Sequence, residues 1–201
     1  MAITTPLPSN EIEQLAEFSL GHLSAHGFGH SEAALERMRK SARVANPLRV
    51  FYLGLRSTLG DPSLAAAELI AWRFFILRGN HAVAATEIAV DAQGGSPRWS
   101  HISYDPRIQT HLSVMRRVQA NPRYEKAFRE LRFLRVPALD QNALLWLVPS
   151  GTGENLLIPM GRQSMLRAGW PYSLTQWFQA VESHAQRRLT SSSIRRPEAE
   201  S

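Results

Sequence analysis

Up to about residue 80 the apolar residues of this chain recur three and four apart; beyond it they alternate or run together in short β-branched blocks. That change of period constrains the fold more than any other feature, because a helical face repeats every 3.6 residues and a strand face every two. Four helices are predicted before the change. Helix one, about 11–24, carries Ile12, Leu15, Ala16, Ser19 and Leu23 on one stripe. Helix two, about 32–45, uses Leu35, Met38 and Ala42, and helix three, about 47–59, uses Leu48, Phe51, Tyr52, Leu55 and Leu59. Helix four, from Pro62 to Arg78, is apolar nearly all round, the pattern of a helix buried on every side. Glu68 and Arg73 interrupt that run, which is also too short for a membrane span.

Punctuation supports these assignments. Asn46-Pro47, Asp61-Pro62, Asp105-Pro106 and Asn121-Pro122 each offer a capping side chain followed by proline, which tolerates the first helical position because it has no N–H to satisfy. Asn10 with Glu13, Ser31 and Ser173 are further caps, and Gly60 and Gly79 stand where a left-handed residue ends a helix.

After the change, Val83–Val90 and Arg98–Tyr104 are expected as a hairpin across the glycine-rich segment from Asp91 to Pro97. Two helical stripes follow, Ile108, Leu112, Met115 and Val118, then Tyr124, Ala127, Phe128, Leu131 and Leu134. Segments 132–137, 143–148 and 156–160 form a meander, with 143–148 apolar throughout and therefore central. Ser173 to Arg188 is a last helix. No internal repeat stands out. The expected class is α+β: a helical N-terminal lobe over 1–80, an α+β lobe over 81–189 with an antiparallel sheet ordered ββααβββα, and a disordered polar tail over 190–201.

Composition narrows the chemistry. The chain of 201 residues is 44% hydrophobic and 20% charged, which excludes wholesale disorder. It contains no cysteine, which excludes disulfides, thiolate metal sites and a cysteine nucleophile. Residues 1–10 lack Lys and Arg and so do not read as a signal peptide; the expected location is cytoplasmic, of bacterial type. The net charge is +6, and Lys40 and Lys126 are the only lysines. Guanidinium forks bind carboxylates, phosphates and aromatic faces better than ammonium groups do.

Several constellations carry possible chemistry, each against a plainer explanation. His22, His26 and His30 have the spacing of helix-borne zinc ligands, but Gly27 and Gly29 intervene and no HExxH pattern supplies a base, so no metal is expected. His101, Ser103 and Asp105 alternate on one strand, with Glu87 able to join them, and suggest a nucleophile, base and orienting acid. Neighbours two apart on one strand rarely make the directed contacts of a triad, and Asp105 has a complete job as a cap. Ser150-Gly151-Thr152-Gly153-Glu154 lacks the GK[ST] of a phosphate loop and reads as a hairpin turn. No cofactor is implied.

The arginines remain. Arg116, Arg117, Arg123, Lys126, Arg129 and Arg132 crowd two consecutive segments joined by Ala120-Asn121-Pro122, and they are the expected binding residues. The sequence thus points to a non-catalytic accessory protein that binds another protein of acidic surface. A basic nucleic-acid-associated protein is the first alternative, and a hydrolase or transferase using the His101 strand the second.

Overall fold

The computed structural model describes residues 6–23, 32–59, 64–91, 95–121, 130–147, 155–160 and 166–194. Helix α1 (Asn10–Phe18) runs into a 3₁₀ turn (Ser19–His22), and α2 (Glu32–Ser41) leads directly into β1 (Ala42–Tyr52). Then come β2 (Glu68–Arg78), β3 (His81–Ala89), β4 (Arg98–Ser103), α3 (Ile108–Gln119), β5 (Glu130–Val136), β6 (Gln141–Leu147), β7 (Leu156–Pro159), β8 (Tyr172–Ser173) and α4 (Leu174–Ile194). Among the described residues, the strands belong to one 8-stranded sheet ordered β4-β3-β2-β1-β5-β6-β7-β8. The fold is α+β.

Two expected helices are strands. Segment 47–59 contains most of β1, and 62–78 contains β2, so the region before residue 80 supplies two of the innermost strands of the sheet rather than a helical lobe. The physical reason is coverage on both faces. Trp72, Phe74 and Ile76 point to one side of β2 and Ala71, Phe75 and Leu77 to the other, all of them buried, so the strand shows no alternation. Asn46-Pro47 caps nothing: Asn46 adopts a left-handed φ of 53°, and the β1–β2 register slips between Ala45 and Leu48. Asparagine tolerates that backbone and proline has no N–H for the ladder, so the pair makes a bulge. Gly79, with φ 57°, sits in the two-residue turn between Arg78 and His81 that joins β2 to β3, not at a helix end.

The sheet is mixed, not antiparallel throughout. β1 and β5 pair in parallel, Arg49 to Tyr52 against Arg132 to Arg135, while the other neighbours are antiparallel. The position chosen as a lobe boundary, residue 80, falls in the turn between the paired strands β2 and β3. The stripe from Tyr124 to Leu134 divides: residues 122–129 lie outside the described residues, and Leu131 and Leu134 are in β5. The remaining strand assignments agree to within two residues, and α4 begins where Ser173 was expected to cap it. The Ser173 hydroxyl accepts from the Gln176 N–H at 3.1 Å and the Gln176 side chain accepts from the Ser173 N–H at 3.0 Å. The helix then runs to Ile194, into the segment expected as a disordered tail; residues 195–201 lie outside the description. At the other end, Ser9 rather than Asn10 caps α1, accepting from the Ile12 N–H.

The two halves share a plan that no sequence repeat announces. In each, a central strand is followed by a meander that steps outward to the sheet edge and by a helix that folds back. Because the two central strands are parallel neighbours, the axis relating the halves lies along the strands, and the closing helices fall on opposite faces. α3 packs through Ile108, Leu112, Met115 and Val118 on the face of Val50, Phe75 and Phe133. α4 packs through Trp177, Phe178, Val181 and Ala185 on the face of Phe51, Leu134 and Leu145. α1 and α2 cover the α4 side of β2 and β3 through Ile12, Ala16 and Leu35.

Candidate functional site

The expected arginine cluster is divided by the alternation of β5. Leu131 and Phe133 face α3, so Arg132 faces the opposite side, where it lies 4.4 Å above the Phe51 ring and donates to Glu130 at 2.8 and 2.9 Å. Arg49 donates to the same Glu130 carboxylate. Burial pushes the Glu130 carboxyl up, but the two arginines outweigh it and hold it below its ordinary value. Arg116 and Arg117 lie at the C-terminal end of α3, on the other face. Arg116 donates to the Asn80 carbonyl at 2.7 Å and Arg117 to the Gly169 carbonyl at 3.3 Å. Arg123, Lys126 and Arg129 lie outside the described residues.

Arg117 borders a depression of about 260 Å³ between the end of α3, β7 and the approach to β8. Val118, Ile158, Trp170 and Pro171 line it. Trp170 is 55% exposed, the Arg167 guanidinium lies 5.2 Å from its ring centroid, and Arg117 is exposed beside it. Among the described residues, none of Arg116, Arg117 and Arg167 is paired with a carboxylate. Gly169 has φ 73°, which favours glycine, and a Cβ at that position would displace the Arg117 guanidinium. Its N–H donates to the Pro159 carbonyl at 2.7 Å, which ties the Trp170 segment to the end of β7.

The other polar constellation is internal. Under the first turns of α3, Glu87 on β3 receives Arg73 from β2 and Arg135 from β5, the latter through contacts at 2.6 and 3.1 Å. Glu87 and Arg73 are 3% and 4% exposed. Burial raises the Glu87 carboxyl, yet the hydrogen bond from Arg135 and the charges of Arg73 and Arg135 bring it below its ordinary value. Burial lowers Arg73, with Glu87 opposing. His101 stands at the rim, Nε2 4.0 Å from Glu87 and Nδ1 3.1 Å from the Ser100 hydroxyl. Among the described residues no hydrogen bond joins His101 to Ser103 or Asp105. Asp105 accepts the Arg107 side chain at both oxygens, Oδ1 at 3.0 Å and Oδ2 at 2.9 and 2.7 Å, and those hydrogen bonds depress its carboxyl. Ser103 accepts from the Asp105 N–H.

Of the three spaced histidines, His22 stacks on Trp99 at 4.7 Å, while His26 and His30 lie outside the described residues, as does the loop from Ser150 to Glu154. Among the described residues no cluster of His, Asp or Glu has a metal-binding arrangement, and no helix is long and apolar enough to cross a membrane. Sequence reasoning missed Trp170 altogether; the only signal was an aromatic between glycine and proline in a segment without apolar period. No family model, curated protein or solved structure matches the chain.

Proposed function

We propose that this protein is a non-catalytic accessory module that binds an acidic segment of another protein at the α3–β8 depression. The observation that carries this reading is Trp170, a large aromatic more than half exposed at the edge of an apolar depression. Tryptophan and arginine are the side chains most enriched among residues that dominate binding energy, and here they adjoin. Arg117 and Arg167, with no carboxylate of their own among the described residues, supply the charge complementarity that selects an acidic partner. Val118, Ile158 and Pro171 favour an apolar side chain in the depression over the stacked bases of a nucleic acid, which need successive aromatic platforms.

A photoreactive phenylalanine analogue placed at position 170 tests this. The reading expects a discrete protein adduct from host extract that survives nuclease treatment, with the same analogue at Arg187 on α4 giving none. The adducted partner, purified, should then bind the wild-type protein and not Trp170→Ala. Adducts dominated by nucleic acid would move the assignment to the nucleic-acid alternative.

A further inference from the structure

We propose that α3 is an acid-sensitive latch: a proton on His111 drives the first turns of this helix off the sheet. His111 is 3% exposed, its ring centroid 5.8 Å from that of Phe133, and neither ring nitrogen has a hydrogen-bond partner among the described residues. The charges of Arg73 on β2, Asp105 and Arg107 in the connection before α3, and Arg135 on β5 act on it, with Glu87 on β3 held between Arg73 and Arg135 and His101 on β4 beyond Glu87. The anions among them are committed. Glu87 is shared by Arg73 and Arg135, and Asp105 is held by Arg107. An imidazolium here would add a buried cation to the field of three guanidiniums, with neither ring nitrogen hydrogen-bonded among the described residues.

An unpaired buried charge is relieved by neutralising it or by moving it to water. Burial and the Arg73 charge accordingly lower His111 to about 4. Below the ordinary imidazole value the proton therefore favours the state in which His111 has left the sheet. The strands beneath are braced by backbone ladders on both sides in the sheet, whereas α3 is held by one apolar face and by side-chain hydrogen bonds of Gln109 to the Ala82 N–H and of Arg116 and Arg117 to the Asn80 and Gly169 carbonyls. Opening is thus confined to the helix.

Hydrogen exchange of the full chain at pH 7 and pH 5, corrected for intrinsic rates, tests the latch. Glu87 and Asp105, the anions nearest the site, are both held below their ordinary values, and moving His111 from 6.5 in the open state to about 4 in the closed one raises the opening equilibrium between pH 7 and pH 5 by about 20-fold. The expected result is a loss of α3 protection of that size with β2 and β5 unchanged, and no such loss in His111→Leu. The ring Cε1–H of the wild-type protein, followed by NMR, gives a readout that needs no variant and should titrate well below 6. Titration of His111 near 6.5, unchanged α3 protection, or loss of protection in β2 and β5 together with α3 would each overturn the proposal.

Discussion

Arg73 and Arg135 converge on one carboxylate, so replacing Glu87 leaves two guanidiniums beneath α3 without their anion. Breaking a buried pair from one side is strongly destabilising, whereas removing both partners can be nearly neutral. Glu87→Gln should therefore cost about 3–5 kcal/mol in urea unfolding. Glu87→Leu combined with Arg73→Leu and Arg135→Leu, which removes every partner, should recover more than half of that. Acid acts in the same direction. Glu87 has its pKa lowered by folding, so its contribution is present above the ordinary carboxylate value and lost as pH falls through the folded-state value. His111, also lowered, weakens the fold from about pH 6.5 downward. Denaturant midpoints should thus fall monotonically from pH 7 to pH 4, and in Glu87→Gln the part of the fall below pH 5 should shrink. The sequence displayed Arg73 and Glu87 as charges inside apolar runs. It did not display their pairing, which depends on a register joining Arg73 to Glu87 and on a parallel contact that brings Arg135 from 48 residues away.

Short strand runs bounded by turn residues were legible even where both faces are covered, as in β6, and the long apolar runs before residue 80 were not. β3, β4, β6, β7, α3 and α4 were recovered from β-branched or apolar blocks, alternation, helical stripes and the Ser173 cap. β1 and β2 were read as helices because a run of apolar residues buried on two sides satisfies either period. The β-branched and aromatic content of Ile70 to Leu77 was the signal for strand. Asn46-Pro47, a strong helix start by composition, serves a bulge because a left-handed asparagine followed by a residue without N–H suits both. Trp72 and Trp146 are buried on β2 and β6 in separate apolar clusters. Trp72→Ala and Trp146→Ala should each cost about 3–5 kcal/mol by leaving a large cavity, read from thermal or denaturant midpoints. Gly79→Ala should cost about 1 kcal/mol without altering spectra, because the turn needs positive φ and a Cβ there meets no neighbouring atom.

Across the whole molecule, the pairing of β1 with β5 joins the two halves into one sheet with one apolar cluster running from Leu48 to Met160. The net charge of +6 is spread unevenly over it. On one face Arg49 and Arg132 are spent on Glu130, while past the end of α3 Arg117 and Arg167 adjoin Trp170 with no carboxylate partner among the described residues. The sequence supplied Arg116 and Arg117 as binding residues but could not separate them from Arg132, because a two-residue period within β5 decides which face a side chain takes. Binding of the purified partner, followed in real time at several salt concentrations, decides whether the Trp170 depression is the docking site. Trp170→Ala should weaken equilibrium binding by about 30-fold, the effect of losing about 2 kcal/mol. Arg117→Glu should slow association by about 10-fold at low salt, less at high salt, and Arg187→Glu on the opposite helix should do neither. Equal losses from Arg117→Glu and Arg187→Glu, with Trp170→Ala binding as the wild type does, would contradict that assignment.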